Sequence, residues 1–84
     1  MDEFRSASNL LERALDKAIE ADKAERSACI AHLAFVNNTD EMQREILRDA
    51  AHKAFRYNNA KQQDAREAKA DALRVMRAAI ERTR

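Results

Sequence analysis

Asn37-Asn38-Thr39-Asp40 is the clearest stop and restart in a chain of 84 residues that contains neither glycine nor proline. Helix-forming stretches flank it on both sides, so the chain either reverses here or runs on as a rod. Asparagine tolerates the left-handed conformation that often closes a helix, which makes Asn37-Asn38 a suitable C-cap. Thr39 or Asp40 can cap the helix that follows. Glu41 then sits in its first turn, and Asp40-x-x-Gln43 has capping-box spacing. The stretch therefore reads as the reversal of an all-α, antiparallel fold.

On the N-terminal side, one helix spans about 3–36, with Asp2 as its cap. At 100° per residue, Phe4, Leu11, Leu15, Ala18, Ile19, Cys29, Ile30, Leu33 and Val36 fall on one broad apolar stripe. Beside it runs an alanine track with a seven-residue repeat, Ala7, Ala14, Ala21 and Ala28, ending in Phe35. Small side chains in such a track let a second helix lie unusually close. The helix thus has two adhesive faces, one more than a simple pairing needs. Its middle is polar. Asp22 and Arg26 interrupt the large stripe as an (i, i+4) ion pair, and Asp22-x-x-Glu25 has the spacing of a second cap.

On the C-terminal side, Tyr57-Asn58-Asn59 leaves two folds open. Asn59-x-x-Gln62 has capping-box spacing, which favours a break and a bundle of three helices over about 3–36, 40–57 and 60–82. Against this, Leu47, Ala51, Ala54, Asn58, Lys61, Ala65, Ala68, Ala72, Val75 and Ala79 keep an unbroken 4-3 alternation, the register of one continuous helix. In that case the fold is a long two-helix hairpin. Asn58, Asn59 and Lys61 are poor seam residues, so the break is the preferred reading. Phe35 and Phe55 both lie towards the turn, where the best-packed core is expected.

Composition sets the scale. The chain is one domain, near the size at which a single core is only just sufficient. Of its 45% apolar residues, 18 are alanine, which favours helix but buries little area. The helices must therefore approach closely or share a core with a second copy, and self-association as a dimer is expected. No apolar run nears the roughly 18 residues that span a bilayer. Met-Asp-Glu-Phe-Arg is not the start of a signal peptide. The single Cys29 allows no internal disulfide and suits a reducing compartment. These features read as a cytoplasmic chain.

Little here supports catalysis. One cysteine and two histidines, with no glycine to shape an anion-binding loop, supply no nucleophile–base set. Cys29-x-x-His32 and Asp49-x-x-His52 each share a helix face at (i, i+3). Folding the hairpin about residue 38, however, puts Cys29 and His52 at different levels, so no metal site is assigned. No cofactor is expected, and the chain reads as a non-enzyme.

Charge is more informative. Residues 1–41 carry five basic and nine acidic side chains, and residues 42–84 carry eleven and six, so the halves are −4 and +5 around a net +1. Such halves attract each other across the turn, and the basic half also suits an acidic partner. Arg66, Arg77 and Arg84 form a column along the edge of Leu73 and Ile80, with Lys69 and Arg74 on either side. Arginine bordering an apolar edge is a common interface chemistry. Together with the Asp22–Arg26 waist, these residues are the candidate partner-binding set. A phosphate backbone would also be drawn to them. Yet Asp64, Glu67, Asp71 and Glu81 are interleaved on the same helix, and no aromatic side chain lies among the arginines to stack on a base.

In outline (short, alanine-rich, helical) the chain resembles the plasmid copy-number hairpins of the Rop type. The likeness is architectural, and no residue motif transfers a site. Small helical chains poor in cysteine are often proteins of phages and other mobile elements that bind and block a host machine. The expected function is accordingly non-enzymatic binding of a protein partner, as inhibitor, adaptor or regulator. The alternative is a nucleic-acid-binding regulator that uses the basic C-terminal helix.

Overall fold

A computed structural model describes residues 2–83, with side chains from Arg5 onward. It is all-helical: α1 spans Asp2–Asn37 and α2 spans Glu41–Thr83. The two lie antiparallel as a hairpin with extents of 64 × 14 × 14 Å. At about 1.5 Å per residue, the 43 residues of α2 account for the full length. The side chains of Asp2 and Phe4, read from sequence as cap and stripe residues, lie outside those described.

The three-helix bundle is not found. No break separates 40–57 from 60–82, and Gln62, the far residue of the Asn59 capping box, has its side chain engaged elsewhere. Gln62 Nε2 donates to Asn58 Oδ1 at 3.1 Å, one turn away, and to the carbonyl of Ala21 across the seam at 3.1 Å. Gln62 thus bonds within the helix and across the seam without interrupting the backbone ladder. Lys61 is likewise accommodated. Its Nζ reaches Glu20 Oε2 at 3.3 Å and lies 5.3 Å from the centre of the Tyr57 ring. Nor does α1 break at Asp22-x-x-Glu25.

The reversal itself departs from expectation in detail. No described residue has positive φ, so Asn37 and Asn38 do not make a left-handed C-cap. Asp40 is the N-cap, its Oδ1 accepting from the Met42 N–H at 3.1 Å. Asn38 takes the place a capping box would give Gln43: its Oδ1 accepts from the Asp40 N–H at 2.9 Å, and its Nδ2 donates to Gln43 Oε1 at 3.0 Å. The helices then pair with Gln62 opposite Ala21 and Lys61 beside Glu20. This register pivots nearer residue 41 than residue 38. His32 consequently meets Phe55 rather than the neighbourhood of residue 45.

The seam follows the alanine track and the 4-3 register of α2, and leaves out the large apolar stripe. Buried residues, among those described, are Ala21, Ala24 and Ala28 on α1 and Ala51, Ala68 and Ala72 on α2, all at most 6% exposed. Half-buried Ala7, Leu10, Ala14, Lys17, Ala31 and Phe35 extend the 3-4 spacing along α1. Leu47, Ala54, Asn58, Lys61, Ala65, Val75 and Ala79 do so along α2. Alternation of threes and fours keeps one narrow line of each helix against the other. Because that line is mostly methyl groups, the backbones can approach closely. The turn end is therefore not the best-packed region: Phe35 is half-buried beneath the Arg44 guanidinium, 5.1 Å from its ring centre, and Phe55 is exposed.

Enlarging a seam alanine should force the helices apart. Ala28→Leu or Ala72→Leu, both at 2% exposed positions, is expected to lower stability by about 1–3 kcal/mol. The thermal midpoint read by circular dichroism checks this, with Ala70→Leu at an exposed position as the control that leaves it unchanged.

Candidate functional site

A hairpin held by alanines leaves its large side chains outside. Leu11, Leu15, Ile19, Ile30, Leu33 and Val36 of α1 are exposed, as are Met42, Ile46, Phe55, Tyr57, Leu73 and Ile80 of α2. The apolar stripe of α1 is thus one adhesive face too many within a single chain, and it is unused. Leu15 at 64% and Ile30 at 68% exposure stand against the usual burial of such side chains.

These residues are not scattered. In an antiparallel pair, the positions one step beyond the seam on the same rotational side of each helix lie on the same side of the pair. For α1 that side carries Leu11, Leu15, Ala18, Cys29 and Val36, and for α2 it carries Phe55, Leu73, Met76 and Ile80. Two contacts fix the correspondence. His32 and Phe55 meet edge to face at 6.1 Å between ring centres. At the other end, Ala7, Ser8, Leu11, Met76, Ala79 and Ile80 line one apolar groove of about 330 Å³. The result is one long face, apolar at the open end and around Phe55, with a charged groove of Phe35, Glu41, Arg44, Glu45 and Arg48 nearest the turn.

Its middle is charged, and part of the set singled out in the sequence lies on this side. Asp22 lies on this side of α1, paired to Arg26 Nη2 at 3.1 Å. Arg66, Lys69, Leu73 and Ile80 lie on the same side of α2, all exposed. Arg74 and Arg77 sit further round, on the outer side of α2. Arg74 Nη2 is held to Asp71 Oδ1 at 2.6 Å, and Arg77 is exposed. Arg84 lies outside the described residues. The α1 waist and the α2 basic edge, distant in sequence, are therefore parts of one surface. Missing from the sequence-derived set were Leu11, Leu15, Phe55 and Met76. Their signal was present in the competition between an alanine track and a leucine stripe on one helix, since only one of them can face a single partner helix.

The opposite side of the hairpin is where its ions concentrate. Glu20 accepts from Lys61 at 3.3 Å and lies 3.6 Å from Lys17. The Lys61 hydrogen bond, then the charge of Lys17, hold the Glu20 carboxyl below the ordinary carboxylate range. The same hydrogen bond and charge from Glu20 raise the Lys61 ammonium. Asp, Glu, His and Cys form no cluster of three among the described residues that could hold a metal ion. No helix is long and apolar enough to cross a membrane among those residues. The chain matches no protein-family model, no curated protein and no solved structure.

The sign of the Glu20 linkage follows from its lowered pKa. Its contribution is present above the ordinary carboxylate range and is lost as pH falls through the folded value. Urea midpoints of the native chain should therefore decline on acidification more steeply than those of Glu20→Gln. Parallel declines would mean that Glu20 does not sense Lys61 in solution. The Lys61 partner acts in the opposite window, its raised pKa withdrawing support only as pH rises through the folded ammonium value.

Proposed function

We propose that this protein acts without catalysis, by binding a protein partner in the cytoplasm as an inhibitor, adaptor or regulator. One observation carries the reading: the side chains large enough to drive association are exposed, while the hairpin holds itself together on alanine. An exposed apolar face rimmed by charge is what an interaction surface presents. Arg66, Lys69, Arg74 and Arg77 border the apolar Leu73–Ile80 edge, and arginine beside apolar anchors is the composition of interface hot spots. Asp22 and Arg26 supply a second, mixed-charge contact on α1.

Support for a protein rather than a nucleic acid comes from the acids threaded among these bases. Arg74 is already engaged by Asp71 at 2.6 Å, and Glu67 and Glu81 lie on the same helix. A surface evolved for a phosphate backbone would have its cations free of such pairing.

The test is affinity capture by the tagged chain from nuclease-treated lysate, comparing the native sequence with an Arg74→Glu/Arg77→Glu double variant. Both arginines are exposed, so helicity should persist. The native chain is expected to retain a stoichiometric protein in the presence of nuclease, and the variant to lose it at least tenfold. Equal retention by both would remove the α2 edge from the reading. Material that disappears after nuclease would transfer the role to nucleic acid.

A further inference from the structure

We propose that the long apolar face is covered by a second copy of this chain, laid on with its turn at the same end. In this arrangement α1 of each hairpin packs on α2 of the other, closing a four-helix bundle. The inference deepens the binding-surface reading above and rests on it, by naming one occupant of that surface.

Area is the first argument. A compact protein of this mass exposes about 5,100 Å² by the usual scaling. This hairpin exposes 7009 Å², an excess of roughly 1,900 Å² over that scaling. Its radius of gyration is 18.8 Å, against about 12 Å for a compact chain of this length. Elongation accounts for part of the excess and the uncovered face for the rest. Two such chains together offer an area within the range of about 2,000–5,000 Å² that permanent homodimers bury. The seam alone is also poor in apolar burial. A methyl-sized side chain contributes under about 1 kcal/mol, against an ordering cost of about 1–2 kcal/mol for each residue of backbone. Leu11, Leu15, Phe55, Leu73 and Ile80 supply the missing burial only if something covers them.

Charge then selects the orientation. Near the middle of this face α1 carries Asp22 and Glu25, while α2 carries Arg66 and Lys69; nearer the turn, Arg48 shares a groove with Glu41 and Glu45. A two-fold axis along the hairpin sets α1 against α2 of the other chain, acid over base at the waist, and places leucines of one end over leucines of the same end. A two-fold axis across the hairpin sets α1 against α1 and α2 against α2, bringing like charges together near the middle. The first arrangement also makes every neighbouring pair of helices antiparallel, as in an up-down bundle. The dimer occupies Leu73 and Ile80 and leaves Arg74 and Arg77, on the outer side of α2, for the heterologous partner.

Sedimentation equilibrium of the native chain should give a dimer. Leu15→Asp/Leu73→Asp, which alters no seam position, should raise the dimer dissociation constant at least a hundredfold. A folded native monomer up to millimolar concentration would overturn the inference while leaving the captured partner and its Arg74/Arg77 dependence untouched. An undiminished dimer in the double variant would overturn the assignment to this face. Orientation is read by pulsed dipolar spectroscopy on Thr39→Cys in a Cys29→Ser background. With turns at the same end, the turn backbones should lie about one interhelical spacing, roughly 10 Å, apart, so the labels should be separated by that spacing plus the reach of their arms. A separation near the 64 Å length of the hairpin would overturn the proposed arrangement. Arg74→Glu/Arg77→Glu should remain dimeric, so loss of the partner and loss of the dimer are distinguishable.

Discussion

Close approach of two helices along an alanine line is the constraint on which the rest of this molecule depends. A seam of methyl groups permits short interaxial distance, and short distance leaves the larger seam residues, such as Leu10, Leu47 and Val75, only half-buried. Ala21, Ala24 and Ala28 of α1 and Ala51, Ala68 and Ala72 of α2 are the buried positions of that line, and most leucines, isoleucines and phenylalanines of the same helices lie beside it. Those side chains are displaced outwards by geometry. Close packing inside and apolar exposure outside are one fact seen from two sides.

A seam so uniform would slide, since one alanine packs much like the next. Polar side chains at the line of contact resist that slip. Gln62 bonds the Ala21 carbonyl across the helices, and Lys61 reaches Glu20. A hydrogen bond of defined direction is satisfied in one register only, which is how isolated polar residues specify alignment in paired helices. At the turn, Asn38, Asp40 and Gln43 lock the chain reversal through side-chain bonds. The alignment in turn sets which outer residues share a face. His32 meets Phe55, and Leu11 lines a groove with Met76 and Ile80.

The functional reading descends from that alignment. A face with exposed leucines at its open end is incomplete as a free surface, and the charges at its waist differ between the two helices. The proposed association would supply what the seam lacks, namely burial of large side chains. The arginines on the outer side of α2 take no part in the seam.

By itself the sequence determined the helical class, the place of reversal, the alanine track, the 4-3 register of α2 and the charge contrast between the halves. All of these depend on local propensity or on spacing along one helix, which residue order contains. It did not decide between a break and continuity at Asn58-Asn59, because an asparagine side chain serves equally well as a cap or as a partner to Gln62. The neighbour across the seam settled that choice. Nor did it decide which of two apolar lines on α1 would face α2, since periodicity reports that a stripe exists and not what covers it. Only the tertiary structure placed the alanines inside, brought Asp22 to the same side as Arg66 and Lys69, and left Leu15 and Leu73 outside. The distance between two helices belongs to the pair, and that distance decided which side chains could lie between them.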